Sequence, residues 1–294
     1  MSDTNESLSG EQAARYVEQG FLAVENLFGA PEVDELNADL IKLARGGYPC
    51  ESLQPVPGRL SDNEALERIL CIHMPHFLSP VIRRYTTHPP MAEVLGRIVG
   101  AHLREGLWDG AVKCMQSMFF AKPPGKPGQA WHQDEIYIPT RDRSLCGAWI
   151  ALDDATVENG CMWVLPGSHR PGVLYPQKEH GRNDEFDDAP ESYGFEADGE
   201  IAVEVPAGAV VFFNGYLLHR SRKNRSGGYR RALVNHYMSM QSLLPWLVEG
   251  SLANGSIAAA DNRCVHPVCG EDPHAWRGYE VPENPVWLRR YGSS

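Results

Sequence analysis

Apolar residues recur in two rhythms along this chain, and the change of rhythm divides it. Near the start Val33, Leu36, Leu40 and Leu43 fall three and four apart, the stripe of an amphipathic helix. Pro31 suits the first turn of that helix, and Gly46-Gly47 end it. Ahead of it, Ser9-Gly10-Glu11-Gln12 reads as a capping box opening a shorter helix that stops near Gly20. Phe21-Leu22-Ala23-Val24 between the two reads as a short buried strand. A Pro-, Gly- and Ser-rich loop occupies 48–65, and helical patterns then predict a third helical region over about 63–84 and a fourth over 90–99. From Val112 the rhythm shortens. Runs at 112–121, 131–138, 146–152, 161–165, 201–205, 209–213, 217–221 and 232–240 are short, apolar or alternating, and punctuated by Gly and Pro. Strands in this number with no helices between them predict an α+β protein. Its core is a double-stranded β-helix, a cupin-like jelly roll over about 112–240, with flanking helices mainly N-terminal over about 8–105.

One domain over 1–294 is expected. An acidic insertion over about 175–200, with Asp184, Glu185, Asp187 and Asp188 together, reads equally as a lid or as a solvated loop. The tail over 241–294 is rich in Trp, Pro and Gly and carries no motif.

Charge and composition narrow the partners. Lys and Arg number 27 against 38 Asp and Glu, a net charge of −11, which disfavours nucleic acid and anionic membranes. Apolar residues at 43% predict a globular core. Seven scattered Cys, an odd number, predict reduced thiols and a cytoplasmic protein rather than a disulfide framework. Residues 1–6 are polar, so no secretory leader is expected, and no run approaches the ~18 apolar residues of a membrane span. A small-molecule substrate is the expected partner, for a monomer or homodimer.

The chemistry centres on Trp131-His132-Gln133-Asp134. In a strand, His132 and Asp134 share a face and Gln133 takes the other, where it packs or hydrogen-bonds behind the site. His219 supplies a second imidazole from a later strand. Two His and one carboxylate leave coordination positions open and suit Fe(II), Mn or Zn. Arg230 follows eleven positions after His219 (230 − 219), where a guanidinium can grip a carboxylate in bidentate fashion. Arg231 beside it would face the other way. A zinc hydrolase has no need of such a fixed cation, whereas an enzyme using a dicarboxylate cosubstrate does. Ser221 shares a face with His219. The basic run Arg220, Arg222, Lys223 and Arg225 reads as a solvated hairpin, whose cations could also meet phosphates.

Larger blocks strengthen this reading. Gln116-Ser117-Met118 leads to Lys122-Pro123-Pro124 and then to the Trp131–Asp134 block. Ala148-Trp149-Ile150-Ala151-Leu152 and the run from Glu158-Asn159-Gly160 to Pro166-Gly167-Ser168-His169 follow. His219-Arg220-Ser221 and Arg230-Arg231-Ala232-Leu233 close the series. In order and spacing these resemble the phytanoyl-CoA dioxygenase family of Fe(II)/2-oxoglutarate oxygenases, over about residues 10 to 240. The resemblance implies His132, Asp134 and His219 as iron ligands and catalytic centre, and Arg230 as the 2-oxoglutarate clamp. It also suggests Met118, Trp149 and Ser221 as cosubstrate-pocket residues. It implies Fe(II), 2-oxoglutarate and O2 as cofactor and cosubstrates, with succinate and CO2 as products. Asp134 is kept where related halogenases have a small residue, so hydroxylation of a small organic substrate is expected. Gln116 and Tyr137 are candidate substrate contacts, and His169 reads as structural. The alternatives are a metal-dependent hydrolase or isomerase and a non-catalytic cupin-like binding protein.

Overall fold

Ser9 caps the first helix as its sequence predicts. Its hydroxyl accepts from the Gln12 amide at 3.2 Å, and the Gln12 side chain accepts from the Ser9 amide at 2.8 Å. The computed structural model describes residues 8–103, 106–244, 265–279, 281 and 283–291. The polar start at 1–6 and Cys264, both used above, lie outside the described residues. α1 (Gly10–Gln19) ends on Gly20, whose φ of 84° is left-handed; a Cβ there would collide with His169 at 2.4 Å. β1 (Phe21–Val24), α2 (Ala30–Ala44), α3 (Asp62–Leu66), β2 (Cys71–His73), α4 (Pro80–Tyr85) and α5 (Pro89–Ile98) complete the first third. Strands follow: β3 (Val112–Lys122), β4 (Cys146–Ala151), β5 (Met162–Val164), β6 (Gln177–Lys178), β7 (Glu191–Ser192) and β8 (Ile201–Val203). Last come β9 (Val210–Asn214), β10 (His219–Ser221), β11 (Arg230–Ser239), β12 (His266–Cys269) and β13 (Trp287–Arg289).

Two antiparallel sheets make the jelly roll. The larger runs β1-β9-β4-β11-β3-β2-β13, with β12 also on β3; the smaller runs β10-β5-β8. Pairing registers line residues up in rows across the large sheet. Ile72, Phe119, Leu233, Ile150 and Val210 form one such row. They join α2, α4 and α5 in the main core, with Leu36, Leu40, Ile82 and Leu95. The neighbouring row, His73, Met118, Val234, Trp149 and Val211, points to the opposite face. There Trp149, Val211 and Val234 meet Met162, Val164 and Val203 of the small sheet. The functional side chains lie on this second face.

The expected third helix over 63–84 is instead two short helices with a strand between. Pro75 and Pro80 cannot continue a helix, and Met74 has a φ of 59°. Cys71, Ile72 and His73 are buried against β3. The expected strand over 131–138 is also corrected. His132 makes a single bridge to His219, and the chain then turns through a 3-10 helix at Asp134–Ile136. The tail is not featureless: β12 and β13 extend the large sheet. The acidic insertion is exposed over much of its length but anchored at several points. β6 pairs β7, Phe186 bridges Gly128, and Asp187 is buried. Among the described residues no helix is long and apolar enough to cross a membrane.

Candidate metal centre and active-site cavity

β10 lays His219 beside His132, their backbones exchanging hydrogen bonds of 3.0 and 3.1 Å. Each imidazole is oriented from behind. His132 Nδ1 lies 2.8 Å from the Ala130 carbonyl, and His219 Nδ1 lies 2.9 Å from the Leu217 carbonyl. A carbonyl can only accept, so both Nδ1 atoms carry the proton and both Nε2 lone pairs are available. Those Nε2 atoms lie 3.6 Å from Asp134 Oδ1. Two ligands about 2.1 Å from one cation, at 90–110°, lie about 3.0–3.4 Å apart. The three side chains therefore fit a metal with little movement, and each offers a ligand atom within 4.8 Å of the others.

Asp134 is itself held. Its second oxygen, Oδ2, lies 2.9 Å from His236 Nε2. Burial pushes the Asp134 carboxyl up, but His219, His236 and His132 around it push it down further, so it is ionised. Burial and the neighbouring His219 press His132 down to about 3, so it is neutral near pH 7. Two imidazoles oriented through Nδ1 and one carboxylate are a donor set suited to a divalent cation. Gln133 points away, donating to the Val173 and Tyr216 carbonyls at 2.9 and 2.7 Å.

A cavity of about 430 Å³ opens beside the triad, and Met118, Trp149, Ser221 and Arg230 line it. Arg230 is 5% exposed, with its guanidinium 5.4 Å from the Trp149 ring centre. Its Nε is buried with no hydrogen-bond partner among the described residues. Burial lowers its pKa to about 10. Arg231 lies on the other face and pairs with Asp153 at 2.5 Å. Lys122, opposite Arg230 in register, is satisfied by the Gly160 and Arg222 carbonyls and Ser221 Oγ at 3.1, 2.8 and 3.0 Å. Ser221 Oγ also accepts from the Gln129 amide at 3.1 Å, which leaves its own proton to donate.

Gln116 and Tyr137 line the same cavity. Gln116 Nε2 is 3.3 Å from His73 Nδ1, and Tyr137 Oη accepts from Gln177 Nε2 at 2.9 Å. His169 meets the Val17 carbonyl at 2.9 Å, under Gly20 and away from the cavity. The basic run is not a free cradle: Arg220 and Arg222 both pair with Glu200, and Arg225 pairs with Glu185. Sequence reasoning missed His236, Lys122, His73, Trp287 and Arg289. Three two-residue steps along β11 from Arg230 reach His236 on the metal-facing side, and steps of the same length along β3 join Gln116, Met118 and Lys122.

The sequence model of the family described as "Phytanoyl-CoA dioxygenase (PhyH)" matches residues 16–232. A phytanoyl-CoA dioxygenase of Arabidopsis thaliana is 37% identical over 123 residues, 42% of this chain and 43% of that protein. Phytanoyl-CoA dioxygenase 1 of Oryza sativa subsp. japonica is 30% identical over 170 residues, 58% of this chain and 57% of that protein. The chain thus aligns with about half the length of these two relatives. The human peroxisomal phytanoyl-CoA dioxygenase is 28% identical over 247 residues, 80% of this chain and 70% of that one. Among solved structures, the non-haem α-ketoglutarate-dependent epimerase SnoN superposes with a TM-score of 0.63 at 21% identity, covering 95% of this chain and 96% of that chain. EctD of S. alaskensis with bound Fe superposes with a TM-score of 0.59 at 22% identity, covering 82% and 80%. These two likenesses establish the jelly-roll fold.

Proposed function

The chain belongs to the phytanoyl-CoA dioxygenase family, and from that premise we propose that it is an Fe(II)- and 2-oxoglutarate-dependent dioxygenase that hydroxylates a small organic substrate. The observation that carries this reading is the pairing of an open His132–Asp134–His219 set with a buried guanidinium, Arg230, whose Nε has no hydrogen-bond partner among the described residues. Burying an unpaired cation is costly, so its presence calls for an anion that arrives with the cosubstrate.

On this reading His132, Asp134 and His219 hold the iron. When bound, Fe(II) and 2-oxoglutarate supply the oxidising chemistry, consuming O2 and releasing succinate and CO2. The chain positions and encloses the reactants. Arg230 takes the distal carboxylate of the cosubstrate in a bidentate pair, and Ser221 donates to the same group. Trp149 and Met118 form the apolar wall that keeps water from that pair. His236 fixes the rotation of Asp134, so that one oxygen stays on the metal side. Lys122 anchors the end of β3 to the β10–β11 connection, keeping Arg230 and Ser221 in register.

Two observations support a small substrate. At about 430 Å³ the cavity is near the lower end of ligand-site volumes, and it must house cosubstrate and substrate together. The arginines that could have met the phosphates of an acyl-CoA are already paired with Glu200 and Glu185. Anaerobic titration of the protein with Fe(II) and 2-oxoglutarate tests the reading. A visible charge-transfer band is expected, lost in His132→Ala and weakened in Arg230→Ala. Fe(II) binding without a band would overturn it.

A further inference from the structure

We propose that β13 is a substrate-recognition strand whose Arg289 binds the carboxylate of a small organic acid, a reading that rests on the dioxygenase assignment for what then happens to that acid. β13 is the outermost strand of the large sheet beyond β2 and lies outside the residues that the family model matches. Trp287, Arg289 and Tyr291, spaced two apart, all line the cavity. Leu288 between them packs into the main core instead. The strand thus presents one face to the cavity along its whole length.

Its position separates it from the cosubstrate clamp. Arg230 and Lys122 face each other on β11 and β3, whereas β13 lies three strand spacings from β11, about 14 Å across the sheet. The other cations of the cavity are committed. Lys122 has three acceptors, and both terminal contacts of Arg220 to Glu200 are 2.6 Å. Arg289 differs. Its side chain makes one hydrogen-bonding contact among the described residues, to Asp187 Oδ2 at 3.5 Å. Charge-assisted pairs close to about 2.7–2.9 Å, so this one leaves most of the guanidinium fork unengaged. Asp187 is held in turn by the Ala189 amide, at 3.1 Å from Oδ1. The insertion therefore aims Arg289 without saturating it.

The body of the ligand has a surface to lie on. The Trp287 ring stacks on His73 with centroids 3.5 Å apart and planes 7° apart. His73 is 6% exposed, and its Nε2 is buried without a hydrogen-bond partner among the described residues. His73 Nδ1 lies 3.3 Å from Gln116 Nε2, and Gln116 pairs in register with His236, which holds Asp134. A carboxylate on Arg289 would thus direct an apolar chain along Trp287 and His73 toward the triad. Tyr291 fixes the end of this wall by donating to the Ala121 carbonyl at 2.8 Å.

The test is calorimetric titration of 3-phenylpropanoate and of its neutral amide into the anaerobic protein carrying Fe(II) and 2-oxoglutarate. The acid should bind at least tenfold more tightly than the amide, the scale of a hydrogen-bonded charge. Arg289→Gln should abolish that preference and leave the 2-oxoglutarate charge-transfer band intact, and Arg289→Lys should restore part of it. Trp287→Ala should weaken acid and amide alike. Equal binding of acid and amide, no heat from either at millimolar concentration, or loss of the band in Arg289→Gln would each overturn the proposal. Absence of the band in the wild-type protein would instead count against the cofactor assignment. The acid–amide comparison on the metal-free protein would then decide Arg289 separately.

Discussion

Replacing Arg230 with methionine should stabilise the ligand-free protein and cripple its cosubstrate site. Burial lowers the Arg230 pKa from 12.5 to about 10. At about 1.4 kcal/mol per pH unit, the folded state pays about 3 kcal/mol to keep that cation charged at neutral pH. The sign is that of a base whose folded pKa lies below its unfolded one: the penalty applies at every pH below about 10 and is relieved above it. Methionine fills comparable space without charge and gives up the offset contact with Trp149, worth about 1 kcal/mol. The net gain is about 2 kcal/mol, a rise of several degrees in the unfolding temperature. The cosubstrate loses two charge-assisted hydrogen bonds of about 1.5–3 kcal/mol each, so its Kd should rise at least a hundredfold. Thermal denaturation with Mn(II), with and without 2-oxoglutarate, reads both effects. The wild type should gain about 2.7 kcal/mol at a hundredfold excess over Kd, and the variant almost nothing. An Arg230→Met protein that melts below wild type without ligand, yet keeps the full ligand-induced shift, would refute the argument.

Other consequences are as direct. His236→Leu should weaken Fe(II) or Co(II) binding about 10–100-fold by freeing Asp134, while His236→Gln, which can still donate to Oδ2, should recover part of it; metal titration decides. His132 has a folded pKa of about 3 against an unfolded value of 6.5, so its contribution is complete above about pH 6.5 and is lost as pH falls toward 3. Urea midpoints of the metal-free protein should drop between pH 7 and 4.5, and His132→Asn should flatten that drop. Arg231→Ala breaks a mostly buried, bidentate pair with Asp153, costs about 1–2 kcal/mol, and should leave the Kd for 2-oxoglutarate unchanged. An effect of Arg231→Ala on cosubstrate affinity would contradict the two-faced register of β11.

The parts of this fold legible in the sequence are those whose signal is local. The Ser9–Gln12 box, the Val33–Leu43 stripe and the long alternating strands β3 and β11 stand out because repetition reinforces them. β2 and β13 are three residues each, and only each other and β3 make them strands. Ile72 fits a helical stripe as well as a sheet row, and the prolines at 75 and 80 were the usable warning. His132 and Asp134 converge, as a shared strand face predicts, but by another route. The chain turns after one bridge instead of running on as a strand, and a 3-10 turn brings the carboxylate round to both imidazoles. Arg230 was legible because His219 and the hairpin fix its register. Arg289 was not, since its place depends on a pairing across most of the chain.

That pairing has a consequence in time. Trp287 pairs with His73, 214 positions earlier (287 − 73), while β11 and β3 already hold Arg230 and Lys122 by residue 239. A ribosome adding about 5–20 residues per second needs about 2–10 s to travel the 48 positions from Ser239 to Trp287. On the proposed assignment, the metal ligands and Arg230 are thus all synthesised before the strand that completes the cavity wall. Three residue pairs at the rim of the sheet join that late strand to an early one.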